Sequence, residues 1–236
     1  QTYLSLNWII GAGSDDLTGM AIDILSEVLV NQESAPLRIA LREAGIGKEV
    51  SAYKDKLYQN VMTINVKNAN PEDKDRFLEV VSSTLAKVCE EKIDREALKG
   101  TVNRLEFSLR EGNDAQKGLM YNLRCLNSWI YTGSPFSALE YETYLSKIKE
   151  SMEAGYFEDF IRKNMIDNRN RALVVLAPKP GLENENMKQV TAGLEEYKKG
   201  LSKEEADSLV AVTNGLIEFQ QTEDTPEALA TIPMLS

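Results

Sequence analysis

Residues Tyr3 to Ile10 alternate, with an apolar residue at every second position, and this pattern constrains the fold more than any other in the chain. A period of two residues is that of a β-strand with one face in a core and the other face open. A half-buried strand must lie in a sheet, and the apolar face of that sheet must be covered by another layer. The side chains that should face this layer are Leu4, Leu6, Trp8 and Ile10.

Residues with helical spacing follow the first strand and can form that covering layer. Ser14–Asp16 supply N-cap oxygens for a first helix after the Gly11–Gly13 break. A shorter helix is predicted over Ala35–Ala44, with Gly45 as its C-terminal cap. The apolar stripe of the first helix consists of Leu17, Met20, Ala21, Ile24, Leu25, Val28 and Leu29.

Two more strands are predicted over Val50–Tyr53 and Leu57–Val66, joined by a hairpin turn at Lys54–Lys56. Asn70 caps the next helix, and Pro71 occupies its first position, where the missing N–H costs nothing. The next strand is predicted only about 100 residues later in the chain, after a long helical region.

That later region begins with a long helical part. From Asp94 to Ile166 the pattern stays helical in at least four pieces, and Ser137 with Glu140 forms a capping box for one of them. Ala172–Ala177 is short and wholly apolar, which predicts a central strand covered on both faces. The order of elements indicates an α+β fold: a two-layer sandwich of a mixed or antiparallel sheet, related to ferredoxin-like folds, with helices on one face.

The C-terminal part has only helical signals. Two amphipathic helices are predicted over Glu183–Lys199 and Ser202–Gln221, and Ser202 with Glu205 makes a capping box for the second. Each has a single apolar stripe that needs a surface to lie against, so this part is an appendage rather than a domain. Thr225–Ser236 is predicted to be extended. The predicted division is an α/β domain over residues 1–180 and a helical hairpin or linker over residues 181–236.

The 236-residue chain contains no histidine. This removes Ser-His-Asp and Cys-His nucleophile pairs, histidine general bases and every zinc motif that contains histidine. Cys89 and Cys125 are far apart in sequence and lie in helical patterns, so they are interpreted as buried free thiols in a reducing compartment. The sequence therefore assigns no catalytic, cofactor-binding or metal-binding residue to this chain.

The charge of the chain bears on its partners. Thirty-seven acidic and 27 basic residues give a net charge of −10, which would repel a phosphate backbone. No apolar run approaches the ~20 residues that span a bilayer. We therefore expect no nucleic-acid partner and no membrane partner. Most of the acidic side chains are interpreted as solvated helix faces, although an acidic surface also attracts basic peptides.

Three local patterns suggest chemistry only weakly. Gly11–Gly13 is half of a dinucleotide-binding fingerprint, but the third glycine would fall at Asp16, so a turn is the simpler interpretation. Glu90–Glu91 cannot converge on one substrate atom, because adjacent helical residues point about 100° apart. Glu106 and Arg110 are four residues apart on a helix, which is the favoured order for an exposed ion pair.

The helix that carries this last pair resembles a known family. Asn103–Glu111, followed by Gly118–Leu119 and Trp129–Tyr131, is similar to a hallmark region of the presequence proteases, a branch of the insulinase (pitrilysin) family of zinc metallopeptidases. Other matching stretches are Tyr3–Leu4 with Trp8, Pro36–Gly47 and Leu229–Ser236. The resemblance extends over essentially the whole chain in the expected order.

This resemblance implies a clamshell of four related α/β domains, in two halves joined by a helical hairpin, that encloses and cuts unfolded peptides. Zinc would be held in the first domain by an inverted H-x-x-E-H motif and a distal Glu. The chain matches the second, non-catalytic domain and, from about Glu183, the start of the hairpin. None of the family's zinc ligands or its general base maps onto it, so zinc is expected in the parent protein and none on this segment. The implied partners are the remaining domains of the parent and peptide substrates.

Two other functions stay open. One is a stand-alone structural, assembly or peptide-binding protein of the same fold, and the other is an independent enzyme that uses carboxylates alone. Gln1 precedes an alternating apolar stretch directly, which indicates an excised segment. Such a segment is expected to expose an apolar patch, at the sheet edge or on the hairpin helices, and to self-associate through it. The expected compartment is the cytoplasm of a bacterium or an organelle matrix of a eukaryote.

Overall fold

The computed structural model describes residues 1–112 and 116–232. The chain divides into two compact units, Gln1–Pro178 and Lys179–Ser236. The first unit contains a sheet and helices, and the second is helical. Each unit is described by itself below.

One four-stranded sheet forms the centre of the first unit. Its strands are β1 (Thr2–Ala12), β2 (Glu49–Lys56), β3 (Gln59–Ala69) and β4 (Arg171–Leu176). They lie in the order β2-β3-β1-β4, and every neighbouring pair is antiparallel. The first strand is therefore an inner strand, and its predicted alternation is confirmed because Leu4, Leu6, Trp8 and Ile10 are all buried.

Helices form the second layer of this unit. In the part that the structure describes they are α1 (Asp16–Ser26), α2 (Pro36–Glu43), α3 (Lys74–Glu91), α4 (Arg95–Glu111), α5 (Lys117–Thr132), α6 (Glu142–Ser151) and α7 (Tyr156–Ile161). The carboxylate of Asp15 accepts a hydrogen bond from the Thr18 N–H at 3.0 Å and so caps α1, as predicted. A π-helical turn at Glu27–Asn31 extends α1, and a second one at Arg162–Ile166 extends α7.

The core lies between one face of the sheet and the helices. The inward side chains of β1 and β3 form one cluster with apolar residues of the helices, including Phe77 and Phe157, which are fully buried. The indole N–H of Trp8 donates to the carbonyl of Met165 at 3.0 Å, which connects β1 to the π-helical turn after α7. Side chains on the opposite face of β1, such as Ser5 and Asn7, are partly exposed. The predicted two-layer α+β sandwich is confirmed, and its sheet is purely antiparallel.

The second unit contains α8 (Leu182–Gly200), α9 (Lys203–Gln221) and the short α10 (Pro226–Leu229). The two predicted helices are confirmed, as is the capping box in which Ser202 and Glu205 each bond the other's backbone N–H. The prediction of an extended segment after Thr225 is wrong, because the Thr225 hydroxyl accepts from the Ala228 N–H and starts α10. Residues 233–236, also part of that prediction, lie outside the described residues.

The hairpin turn between β2 and β3 differs from the prediction. Lys54–Lys56 belongs to β2, and the turn lies at Leu57–Tyr58. Lys54 and Lys56 are two residues apart on the strand, so their side chains leave the same face of β2 and pair with acidic residues of α1. Charged residues that resemble a turn in sequence are thus strand residues held by a neighbouring helix.

Two further predictions for the first unit are wrong. The strand predicted over Ala172–Ala177 exists, but it is an edge strand with β1 as its neighbour, because nothing in a local apolar run specifies the position of a strand in the sheet. The Ser137–Glu140 capping box is absent: Ser137 lies in a 3₁₀ turn, where its hydroxyl is hydrogen-bonded to that of Ser128. The following helix, α6, begins at Glu142.

Candidate interaction surfaces

The described residues do not offer the donors that a hydrolytic zinc ion needs. Within residues 1–112 and 116–232 no group of three or more His, Cys, Asp or Glu side chains is placed to hold a metal ion. Cys89 and Cys125 are free thiols and are partly buried. Burial raises the pKa of the Cys89 thiol, which keeps it in its less reactive protonated form. The donor set of the described residues therefore does not fit a zinc site.

Two glycines at the end of β1, Gly11 within the strand and Gly13 just after it, shape a close backbone crossing. The N–H of Gly13 donates to the carbonyl of Tyr58 at 2.8 Å, where the end of β1 meets the tip of the β2–β3 hairpin. A Cβ atom at Gly13 would lie 1.8 Å from the carbonyl oxygen of Leu57, which no side chain tolerates. Gly11 has φ +67°, a conformation that favours glycine. The geometry therefore explains why both positions are glycine without a nucleotide-binding role.

A ladder of opposite charges joins α1 to β2. Lys54 Nζ lies 2.5 Å from a carboxylate oxygen of Asp23 and 3.0 Å from the carbonyl of Gly19. Lys56 Nζ lies 2.6 Å from a carboxylate oxygen of Asp16. The ladder borders a cavity of about 280 Å³ that Arg124, Tyr141 and Tyr144 also line. Because each carboxylate already has a lysine partner, the pair Asp16 and Asp23 is a packing element rather than an acid–base pair.

The predicted ion pair on α4 has an additional partner. Arg110 lies 2.8 Å from one carboxylate oxygen of Glu106, and Lys149 of α6 lies 2.5 Å from the other. The hydrogen bond from Lys149 is the main reason that the pKa of Glu106 lies below its ordinary value. The sequence predicted the i, i+4 pair, but it held no signal for Lys149, which is distant along the chain.

A buried carboxylate that was not predicted from the sequence stabilises the loop between α3 and α4. Glu158 is buried, and its Oε1 accepts from the backbone N–H of Ile93 at 3.2 Å and lies 3.2 Å from Arg95. Arg95 in turn donates to the carbonyl of Met152. In this loop Lys92 has φ +69°, an uncommon backbone conformation that these contacts hold in place. Of the three connecting residues only Ile93 is buried, so the role of Glu158 and Arg95 here is structural.

Exposed apolar side chains form a stripe along α5. The helix packs through Tyr121, Ser128 and their neighbours, and it carries apolar residues on the other side. The stripe, called the α5 stripe below, consists of Leu119, Leu123, Leu126 and Ile130, with exposed fractions of 52, 44, 47 and 60%. Trp129 is also 60% exposed. A contiguous apolar stripe of this size on a helix marks an interaction site.

The helices of the second unit also present apolar residues to solvent. No side chain of α8 or α9 is buried, although both helices are amphipathic. Their exposed apolar residues include Val190, Leu194, Tyr197, Leu209, Leu216 and Ile217. Isolated helices gain most of their stability from tertiary packing of such a face, so these helices also need a partner surface. No helix in the described part of the chain could cross a membrane.

The opposite face of the sheet, away from the core, is polar in its central part, around Ser5 and Asn7. The hydroxyl of Ser5 donates to the side-chain oxygen of Asn65 at 2.7 Å, and the hydroxyl of Thr63 donates to that of Asn7 at 2.8 Å. The amide of Asn7 also donates to the carbonyl of Ala172 on β4. These bonds join three strands across one face, so the polar groups there are largely satisfied by each other.

Comparisons with known proteins match this chain to one peptidase family. Residues 1–105 match the model described as peptidase M16 inactive domain, and residues 176–236 match the model for the region associated with subfamily C of the same peptidases. The protein HypA of Clostridium perfringens is 39% identical over 100% of this chain and 25% of its own length. Presequence protease 1, chloroplastic/mitochondrial, of Arabidopsis thaliana is 31% identical over 99% of this chain and 22% of its own length.

A solved structure agrees at the level of the fold. An inactive peptidase domain from Bordetella parapertussis covers 76% of this chain and 91% of its own length, with a TM-score of 0.61 and 14% identity. The chain belongs to peptidase family M16, a family of zinc metallopeptidases, and contains its inactive domain. Within that family it is similar to the presequence proteases, which confirms the predicted branch. The chain spans about a quarter of the length of these relatives.

Proposed function

We propose that this chain is the non-catalytic second domain of a zinc-dependent metalloendopeptidase that degrades unfolded peptides inside an enclosed chamber. The observation that carries the proposal is the alignment of the whole chain with one quarter of relatives that include presequence proteases. In this proposal residues 1–180 pack against the catalytic domain and form part of the chamber wall. Residues 181–236 begin the helical hairpin that joins the two halves.

The catalytic groups lie elsewhere in the parent polypeptide. The described residues do not fit zinc, so the parent's metal is held by other domains and no step of the reaction is assigned to this chain. The partners are the remaining domains, which cover the α5 stripe and the apolar faces of α8 and α9, and the peptide substrates. A reducing compartment suits the free Cys89 and Cys125, either the cytoplasm of a bacterium or an organelle matrix.

The proposal is tested on two proteins, the full-length parent and the 236-residue chain. The parent should hold one zinc ion by metal analysis and cleave an unfolded fluorogenic peptide in a chelator-sensitive manner. The isolated chain should do neither. One zinc ion bound per isolated chain, with peptide cleavage that a chelator abolishes, would contradict the proposal.

A second function is a stand-alone structural, assembly or peptide-binding protein of the same fold. The exposed apolar residues of α5, α8 and α9 are compatible with it, since an assembly or peptide-binding protein also needs a surface for its partner. The reading frame discriminates between the two functions: an upstream H-x-x-E-H motif supports the peptidase, and its absence from the complete frame supports the stand-alone protein.

A further inference from the structure

The two edge strands of the sheet, β2 and β4, differ in whether their outward main-chain groups have hydrogen-bond partners. At the β2 edge, Asn31 accepts from the N–H of Ala52 at 2.9 Å and donates to the carbonyl of Ala52 at 3.0 Å. Arg38 donates to the neighbouring carbonyl of Val50, also at 3.0 Å. Both outward main-chain groups of Ala52 and the outward carbonyl of Val50 are thus occupied by side chains of the same unit. Such an edge does not accept a further strand without losing these bonds.

The outward main-chain groups of β4 follow from the register. The N–H of Ile9 donates to the carbonyl of Asn170 at 3.0 Å. Hydrogen-bonded pairs recur at every second residue of an antiparallel ladder, so Ala172, Val174 and Leu176 direct their N–H and C=O groups at β1. Those of Leu173 and Val175 point away from β1. Within residues 1–112 and 116–232, no hydrogen bond to these groups is found.

The side chains of β4 make this open edge unusual. Arg171 is the one charged residue among the six of β4 and no proline or bulge interrupts the strand, whereas four of the eight residues of β2 are charged. Val174 and Leu176 are 53% and 61% exposed. Soluble proteins blunt a free edge with charges, proline or bulges, because a flat apolar edge pairs with other chains. An edge with five consecutive apolar residues and one charge at its end is an edge that is normally covered.

We propose that β4 pairs with a further strand supplied by the part of the parent polypeptide outside this chain, so that the sheet of the complete protein has at least five strands. This inference rests on the proposed function, since it requires a longer parent. Relatives four times as long provide the chain for such a strand. The occupant is an extended, mainly apolar segment whose main chain bonds Leu173 and Val175, with a carboxylate near the exposed Arg171. Its pairing is permanent, because an edge left open between substrates would aggregate.

Amide hydrogen exchange of the full-length parent tests this pairing at single residues. The N–H groups of Leu173 and Val175 should exchange about 100-fold or more slowly than in an unfolded chain, as does the N–H of Val174, which faces β1. In the isolated 236-residue chain only Val174 should stay protected. Fast exchange at Leu173 and Val175 of the parent, with Val174 protected, would overturn the inference whether or not the isolated chain folds.

Proline variants identify the occupant as a strand. Val175→Pro removes an outward N–H at a side chain that is already 36% exposed. It should lower the Tm of the parent by about 4 °C or more, while the isolated chain loses much less. Val174→Pro removes a bond to β1 and should destabilise both proteins. An equal effect of Val175→Pro in both would mean that β4 has no strand partner in the parent.

The same measurements distinguish a parent strand from other partners of the edge, and they test the proposed function independently. Protection that appears only when peptide is added would assign the edge to substrate, and protection only at high concentration of the isolated chain would assign it to a second copy; both results overturn the inference. Zinc content and peptide cleavage are recorded on the same parent. If the parent is active but Leu173 and Val175 exchange fast, only the proposal of a fifth strand is contradicted. If the parent is inactive and metal-free but these residues are protected, only the proposed peptidase function is contradicted.

Discussion

Individual residues of this chain are constrained most tightly where main chains cross. Gly13 is the strongest case, because the space for its Cβ is occupied by the backbone oxygen of Leu57 rather than by a side chain that could move. Sequence reasoning recognised a turn here, but the crossing partner, Leu57, is 44 residues away and could not be identified from local pattern. The partner of Glu106 on α6, Lys149, was missed for the same reason.

We expect Gly13→Ala to lower the free energy of unfolding by about 3 kcal/mol or more, because either β1 or the hairpin tip must move. Gly100→Ala is the matched control. Gly100 lies inside α4 with nothing within 4 Å of its added Cβ, so alanine should raise the free energy of unfolding by about 0.5–1 kcal/mol. Urea unfolding of the two variants measures both changes. Equal effects would show that the crossing at Gly13 relaxes freely.

At the scale of elements, local pattern identified most strands and helices but not their arrangement. The alternation in β1 and the cap at Ser202 are local signals, and each is confirmed. Asn70 and Pro71 start a 3₁₀ turn instead of α3, which begins three residues later at Lys74. The position of β4 in the sheet is not a local property, since an apolar run is compatible with a central strand and with an edge that is covered by something else. The extent of β2 was underestimated because the helix that neutralises its lysines is remote in sequence.

Asn31 provides the element-scale prediction, since one side chain satisfies two main-chain groups at the β2 edge. Asn31→Ala leaves the N–H and C=O of Ala52 without partners and should cost about 1–3 kcal/mol of unfolding free energy. The variant should also aggregate faster than the wild type during thermal unfolding, because the edge becomes available for pairing.

Asn122→Ala is the control for this variant. Asn122 is exposed on α5, so its replacement should change the unfolding free energy by less than about 0.5 kcal/mol. Chemical unfolding and light scattering on the two variants give the comparison. If Asn31→Ala is as stable and as soluble as Asn122→Ala, the edge is protected by other means.

The whole molecule exposes apolar surface in both of its units. The α5 stripe lies in the first unit, and α8 and α9 carry their own stripes in the second. A stable monomeric protein does not ordinarily present so many apolar helix faces. The sequence predicted exposed apolar surface on the hairpin helices and at the sheet edge, but α5 was not singled out, because its apolar residues surround much of the helix and the buried side could not be chosen from them.

We expect the isolated chain to self-associate at micromolar concentrations and the variant Leu123→Glu to weaken that association at least about tenfold, because a charge in the α5 stripe must be desolvated on contact. Asn122→Glu adds the same charge to the neighbouring, already polar position and should have little effect. Sedimentation velocity over a concentration series measures both. A monomer at every concentration, or equal weakening by the two variants, would exclude the α5 stripe as the associating surface.

The π-helical turn at Glu27–Asn31 sets the length of chain that this unit needs before the strand border. Such a turn accommodates one residue more than an α-helix does over the same rise, and each residue added or removed rotates everything after it by about 100°. Asn31 is the last residue of that turn, and its amide bonds the main chain of β2 in this rotation. Deleting one residue from the turn would aim a different side chain at β2, so the protection of that strand depends on the number of residues in the turn as well as on their identity.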